Sequence, residues 1–159
     1  MSKKPNKKSN DNTIARNRKA RYDFSIESTF EAGLVLEGWE IKSLREGKVQ
    51  IDDSYIFAKN GELEWIGGTI IPLISTSTHI NASPTRARKL LMHRYEIDRL
   101  IGQIERKGFT LIPLALFWKK NGRVKLEVGL AKGKKEHDKR ASIKDRDWQR
   151  EKARTLKIR

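Results

Sequence analysis

Only the middle of this chain has the composition of something that can fold on itself, because its excess positive charge is confined to the two ends. Residues 1–21 carry eight Lys/Arg against one acid, and residues 131–159 carry twelve against five, so each end is +7. The whole is +15, which leaves residues 22–130 with fifteen bases against fourteen acids, a net of +1. A core has to come from that near-neutral stretch. Folding does not require two basic extensions, whereas a large polyanion does, since each phosphate neutralised by Lys or Arg releases condensed counterions. Nucleic acid is the partner this distribution points to.

A length of 159 residues suits one domain with extensions. The absence of cysteine excludes disulfides, thiolate zinc sites and thiol catalysis, and it fits a reducing compartment, so a cytoplasmic protein is expected. The first residues have the charge of a signal peptide's start, but no apolar run follows before Tyr22. The longest apolar stretch, Leu111 to Trp118 with Pro113 inside it, falls far short of the roughly 20 residues that span a bilayer. No membrane partner is expected. Residues 2–12 hold no apolar side chain and cannot offset the entropy of ordering. The organisation predicted is a disordered basic arm (1–12), a body (13–131) and a basic tail (132–159).

Within the body, Tyr22, Phe24 and Ile26 alternate, then Leu34 and Leu36, then Trp39 and Ile41, with a slip of phase at Gly38 that predicts a bulge or barrel corner. Asn60-Gly61 and Asn121-Gly122 each sit between apolar, β-rich runs and predict type I′ hairpins. Ser83-Pro84 reads as an N-cap and first helical residue, predicting a short basic helix through Leu91. Ile97, Leu100, Ile101 and Ile104, with Gly108 just beyond, predict a longer one. About six short antiparallel strands with a helical insertion suggest a Greek-key barrel of the oligonucleotide-binding type, a sandwich or split barrel being the alternative.

Tests for chemistry fail. His79, His93 and His137 share no ligand spacing with one another or with a carboxylate pair. The stretch Gly129 to Lys135 has one residue too few for a phosphate-binding loop and lacks its Ser/Thr. Asp52 and Asp53 are adjacent and read as turn residues; Glu31 and Glu40 face solvent, pair with a base, or read RNA. Trp39, Trp65 and Trp118 are expected in the core or packed on a sheet face. Trp148 stands in a tail where Ala141, Ile143, Ala153 and Leu156 form no apolar stripe with it. Such a tail is either a solvated charged extension or a segment disordered when free and helical when bound.

Specific words carry a resemblance: Asn17-Arg-Lys-Ala20, Phe30-Glu-Ala-Gly33, Gly38-Trp-Glu-Ile-Lys-Ser-Leu-Arg45, Pro84-Thr-Arg-Ala-Arg-Lys-Leu-Leu91, Lys107-Gly-Phe-Thr-Leu111 and Gly133-Lys-Lys-Glu-His-Asp-Lys-Arg140. In that order the chain resembles the small protein B (SmpB) family, the tmRNA-binding proteins of bacterial ribosome rescue. The resemblance implies an oligonucleotide-binding barrel with appended helices and a non-enzymatic adaptor, with no cofactor, metal or small-molecule substrate. Its partners would be the tRNA-like domain of tmRNA, whose alanylation by alanyl-tRNA synthetase it supports, and elongation factor Tu through tmRNA. On a stalled ribosome the tail would enter the empty mRNA channel beyond the decoding centre, and the nascent chain would be tagged for proteolysis.

Carried onto this sequence, the resemblance implies a tmRNA face of Asn17, Lys19, Tyr22, Glu31, Lys42, Arg45, Arg86, Lys89 and Lys125. The cations suit phosphate and 2′-hydroxyl contacts, Asn17 donates and accepts, Tyr22 stacks, and Glu31 fixes a base edge or orients a neighbour. Ribosomal contact falls to Gly133, Lys134, Lys135, His137, Asp138, Lys139, Arg140 and Trp148. Many relatives carry Tyr in place of His137 and a smaller residue in place of Trp39. The competing readings are a general RNA chaperone or ribosomal protein without tmRNA specificity, and an RNA-processing nuclease, which would need a magnesium-binding carboxylate cluster.

Overall fold

The computed structural model describes residues 12–76, 79–134 and 136–157, so the predicted arm, apart from Asn12, and Lys135 lie outside the described residues. The elements are β1 (Thr13–Arg16), α1 (Ala20–Asp23), β2 (Phe24–Leu34), α2 (Gly38–Arg45), β3 (Val49–Gln50), β4 (Tyr55–Lys59), β5 (Glu62–Ile66), β6 (Thr69–Ile70), β7 (Arg88–Leu91), α3 (Arg94–Lys107), β8 (Thr110–Trp118), β9 (Val124–Gly133) and α4 (Glu136–Lys157). The large sheet runs β1-β8-β4-β5-β7-β2-β9, and β9 pairs again with β8, so six strands close a ring in which every pairing is antiparallel. This is the expected mainly β barrel with appended helices.

Strand β8 holds the barrel together by serving three partners. Leu111 faces Ile56 of β4, residues 115–117 take β1, and the other edge carries β9. Pro113, which has no N–H to give a ladder, sits where the β8–β9 register shifts, between Pro113 and Ala115. Inside, Leu63, Trp65, Leu116, Leu126 and Val128 have no exposed surface. The Trp65 ring lies so close to Gly68 that a Cβ there would fall 2.0 Å from the indole, and its Nε1 donates to Ser54 Oγ at 2.9 Å. Trp39 is buried as expected, and Trp118 packs half-buried against the same core.

Asn60 (φ 52°) and Gly61 (φ 73°) link β4 to β5 with Lys59 facing Glu62, the expected type I′ turn. The second hairpin stands, but its turn is different. Of its residues only Gly122 (φ 78°) is left-handed; its N–H donates to the Lys119 carbonyl at 2.9 Å and Lys119 N–H to the Arg123 carbonyl at 2.8 Å. That is a three-residue loop ending in a left-handed glycine. Asn121 stays out of the left-handed region and accepts the Arg123 N–H on Oδ1 at 3.1 Å instead.

Two predicted elements are corrected. The segment after Gly38 is no barrel corner but helix α2, opened by a capping box between Glu37 and Glu40 in which the Glu37 N–H donates to Glu40 Oε1 at 2.9 Å; separately, the Trp39 indole Nε1 donates to Glu37 Oε2 at 2.5 Å. Trp39, Glu40, Ser43 and Leu44, spaced as one helical face, are buried. Conversely, the basic helix expected from Ser83-Pro84 is only a turn, closed by the Arg86 N–H on the Ser83 carbonyl at 3.4 Å. It leads into strand β7, where Arg88 and Leu90 point inward and Lys89 and Leu91 outward. Helix α3 forms as predicted, with Ile97 and Leu100 buried and Gly108 (φ 66°) ending it in the left-handed cap.

Candidate nucleic-acid interface

On the outside of the barrel, β8, β9, β2 and β7 lie side by side, and their outward residues line contiguous depressions. One of about 740 Å³ is bounded by Arg16, Glu31, Phe117, Lys119, Lys120 and Lys125. A neighbour of about 620 Å³ shares Glu31 and Lys125 and adds Lys89, Leu91, His93 and Arg94. A third, about 440 Å³, again includes Lys125 and Leu91, with Ile41, the residue before Lys42, at its edge. Three of the expected contact residues, Glu31, Lys89 and Lys125, therefore meet along one groove. Sequence reading missed Arg16, Phe117, Lys119 and Lys120. Phe117 was hidden inside the apolar run of β8, where nothing marks which ring turns outward.

The charged groups of this groove are held loosely. Glu31 pairs with Lys119 at 3.0 Å and Lys89 with Glu62 at 2.8 Å, each partner close to half exposed. Such pairs contribute only ~0–1 kcal/mol. A phosphate or base edge can take either partner at little cost. The Lys119 ammonium also lies 5.8 Å from the Phe117 ring centroid, so one moving side chain uncovers both a carboxylate and an aromatic face.

A second cluster forms around α1. Asn17 stands before it with its amide turned inward: Nδ2 donates to the Pro113 carbonyl at 2.9 Å, and Oδ1 is buried without a hydrogen-bond partner among the described residues. Asn17 thereby fixes the approach to α1, leaving Lys19 exposed and Tyr22 half-exposed on its surface. The Arg146 guanidinium of α4 sits 5.3 Å from the Tyr22 ring centroid. Lys134 locks the end of β9 to the same helix, its N–H donating to the Asp23 carbonyl at 2.9 Å and its Nζ to the Arg21 carbonyl at 2.7 Å. Lys42 and Arg45 are exposed at the C-terminal end of α2, a separate location.

Arg86 is placed differently from the other expected contacts. Its guanidinium bonds Glu40, donates to the Val35 carbonyl at 3.2 Å and approaches Glu37 at 3.5 Å. Beneath it Arg88 is fully buried: it bonds the other Glu40 oxygen, donates to the carbonyls of Gly68 (3.0 Å) and Pro84 (2.9 Å), and lies 5.2 Å from the Trp65 centroid. Burial alone raises the Glu40 carboxyl, but the Glu37 N–H and the two guanidinium groups outweigh it and hold Glu40 below its ordinary value. Arg86→Ala is expected to destabilise the protein by ~1–3 kcal/mol in urea unfolding, the worth of a charged hydrogen bond. An unchanged midpoint would show that Arg86 is held there without contributing.

In the tail segment, Gly133 closes β9 opposite Phe24. His137, Asp138, Lys139 and Arg140 fall in the first turns of α4, Arg140 exposed; Trp148 is 66% exposed. Every α4 side chain described is exposed, as the missing apolar stripe requires. Among the described residues no group of three His, Asp or Glu is arranged to hold a metal ion, and no helix is long and apolar enough to cross a membrane.

Comparison with known proteins places this geometry. The family profile described as SmpB protein matches residues 14–158. An SsrA-binding protein of Alkalilimnicola ehrlichii is 56% identical, aligned over 95% of this chain and 94% of its own length. Another from Thiobacillus denitrificans is 59% identical over 91% of this chain and 97% of that protein. A chain of a solved structure described as "tmRNA-SmpB: a journey to the center of the bacterial ribosome" superposes with a TM-score of 0.62 at 43% identity, covering 77% of this chain and 85% of that one. A barrel with a cationic outer groove, matched in order and over nearly its whole length by these relatives, belongs to the SmpB family.

Proposed function

We propose that this protein is a cytoplasmic, non-enzymatic RNA-binding adaptor of ribosome rescue: it binds the tRNA-like domain of tmRNA and brings it to stalled ribosomes. The observation that carries this reading is the groove around Glu31 and Lys125, a cationic, partly aromatic surface on a closed barrel, in a chain whose near relatives are SsrA-binding proteins. Lys89 and Lys125 take phosphate or 2′-hydroxyl groups, and Glu31, released from Lys119, accepts from a base edge. Lys19, Tyr22, Lys42 and Arg45 extend the contact beyond the groove. Asn17 and Arg86 act beneath it, one setting α1 and the other bracing the loop before β7. By holding the tRNA-like domain in its aminoacylated shape the body supports alanylation by alanyl-tRNA synthetase and delivery with elongation factor Tu.

The tail does the second half of the work. Helix α4 is basic along its length; its Arg146 meets the body at Tyr22, and its described side chains, Arg140 and residues 144–155, are exposed and available to an RNA-lined channel. In this reading the segment that includes His137, Lys139, Arg140 and Trp148 enters the mRNA channel when no message fills it, and its helix is stabilised there. The test is the dissociation constant for the tRNA-like domain and for an unrelated hairpin of equal length, each at two salt concentrations. Preference for the tRNA-like domain is expected to survive the higher salt, because shape recognition does not depend on counterion release. Equal affinities collapsing together would replace this reading with a general RNA chaperone.

A further inference from the structure

Helix α3 opens on two aromatic side chains that the barrel does not use. His93, its N-cap, and Tyr95, in its first turn, stack with ring centroids 5.6 Å apart and planes 15° from parallel. Tyr95 is 71% exposed, so its ring adds almost nothing to the core. The residue between them is pinned: Arg94 donates to the Gly61 carbonyl at 2.8 Å and pairs with Asp98 at 2.9 Å. A Cβ at Gly61 would come 2.9 Å from that guanidinium, so the close approach depends on the glycine of the β4–β5 turn. The start of α3 is thus tied to the barrel, and the aromatic pair is presented in a fixed orientation.

Its position gives the pair a use. His93 and Arg94 line the same depression as Glu31, Lys89, Leu91 and Lys125. An RNA backbone neutralised by those lysines would run beside His93, on which Tyr95 stacks just outside the depression. Bases within an A-form duplex are already stacked and offer no free face, whereas a base in a loop or bulge does. We propose that Tyr95, braced by His93, is a stacking platform for one unpaired base of the bound RNA, at the α3 end of the groove. This rests on the RNA-binding reading above and adds to it a contact that selects looped over paired nucleotides.

The test compares full-length wild type, Tyr95→Ala and Tyr95→Phe for binding to the tRNA-like domain and to the equal-length hairpin, at two salt concentrations. Tyr95→Ala is expected to weaken binding of the tRNA-like domain about tenfold, within the range that loss of one stacked base produces. The salt slope should stay as in wild type, since no phosphate contact is removed. Tyr95→Phe keeps the ring and is expected to restore affinity, while the thermal midpoints of all three proteins agree. Wild-type affinity in Tyr95→Ala overturns the proposal, and so does a loss that Tyr95→Phe fails to restore. If wild type binds the two RNAs alike, it is the tmRNA reading that fails; the ratio of Tyr95→Ala to wild type on either RNA still decides the stack.

Discussion

Replacing Glu40 with alanine is expected to remove ~3–5 kcal/mol of stability, a large part of the ~5–15 kcal/mol typical of a domain, and to lower the melting midpoint by roughly 10–20 °C. The reason lies in what stays behind. Arg88 has no exposed surface, and without Glu40 its charge keeps the Gly68 and Pro84 carbonyls, the Trp65 face and the more distant Glu37 carboxylate, but no directly bonded anion among the described residues. A buried ion pair contributes little net stability compared with apolar residues, but a buried ion stripped of its partner is heavily destabilising. The double variant Glu40→Leu/Arg88→Met is therefore expected to recover much of the loss, since Arg86 is partly exposed and can turn to Glu37. If the double variant were no more stable than Glu40→Ala, the pair would matter for specific bonds rather than for the stranded charge.

The same network sets an acid limit with a definite sign. Glu40 is held below its ordinary value of 4.5 in the folded protein, so its contribution is complete above that value and disappears as pH falls through the lower, folded value. The unfolded chain takes up this proton first. In Glu40→Gln this part of the pH dependence should be missing, leaving a shallower loss of stability below about pH 4.5.

One buried ion pair also accounts for most of what the sequence concealed. The closed antiparallel barrel, the Asn60-Gly61 turn and α3 were all legible, because each is signalled by local chemistry: alternation, a left-handed dipeptide, an apolar stripe with a glycine stop. The two misread segments are those that carry the partners, Glu40 on α2 and Arg88 on β7. Trp39 and Ile41 alternate like strand residues, and the sequence leaves Glu40 open between solvent, a base partner and RNA, so nothing marks Trp39, Glu40, Ser43 and Leu44 as one buried helical face. Around Arg88 the run of basic residues suggests a short helix, whereas in β7 Arg88 is buried and Leu91 is 53% exposed. No pattern of hydrophobic residues reveals a charge that is buried because another, 48 residues away, neutralises it. Of the candidate site, the type of partner was legible from charge segregation. The groove was not, since it joins strands distant in sequence and depends on which face of β8 turns outward.

Ending the chain after Lys134 is expected to leave affinity for the tRNA-like domain within about threefold of normal while abolishing tagging of nascent chains on stalled ribosomes. The cut preserves the barrel and the two bonds by which Lys134 fastens β9 to α1, so neither groove nor α1 cluster loses its support. It removes ten Lys/Arg and five acids, a net of +5, and with them Trp148 and the cation over Tyr22. Two electrostatic effects on RNA binding then oppose each other. Fewer cations lower the non-specific attraction, most at low salt, while Tyr22 loses the Arg146 guanidinium that competes for its ring. Their partial cancellation is why the change in affinity should be small and shrink further as salt rises, in contrast to the complete loss of tagging. Two measurements on one truncated protein decide it: the dissociation constant at low and high salt, and tagged product from a message without a stop codon. A fall in affinity of orders of magnitude would place the RNA site in the tail, and tagging that persists would remove the tail from the ribosomal step.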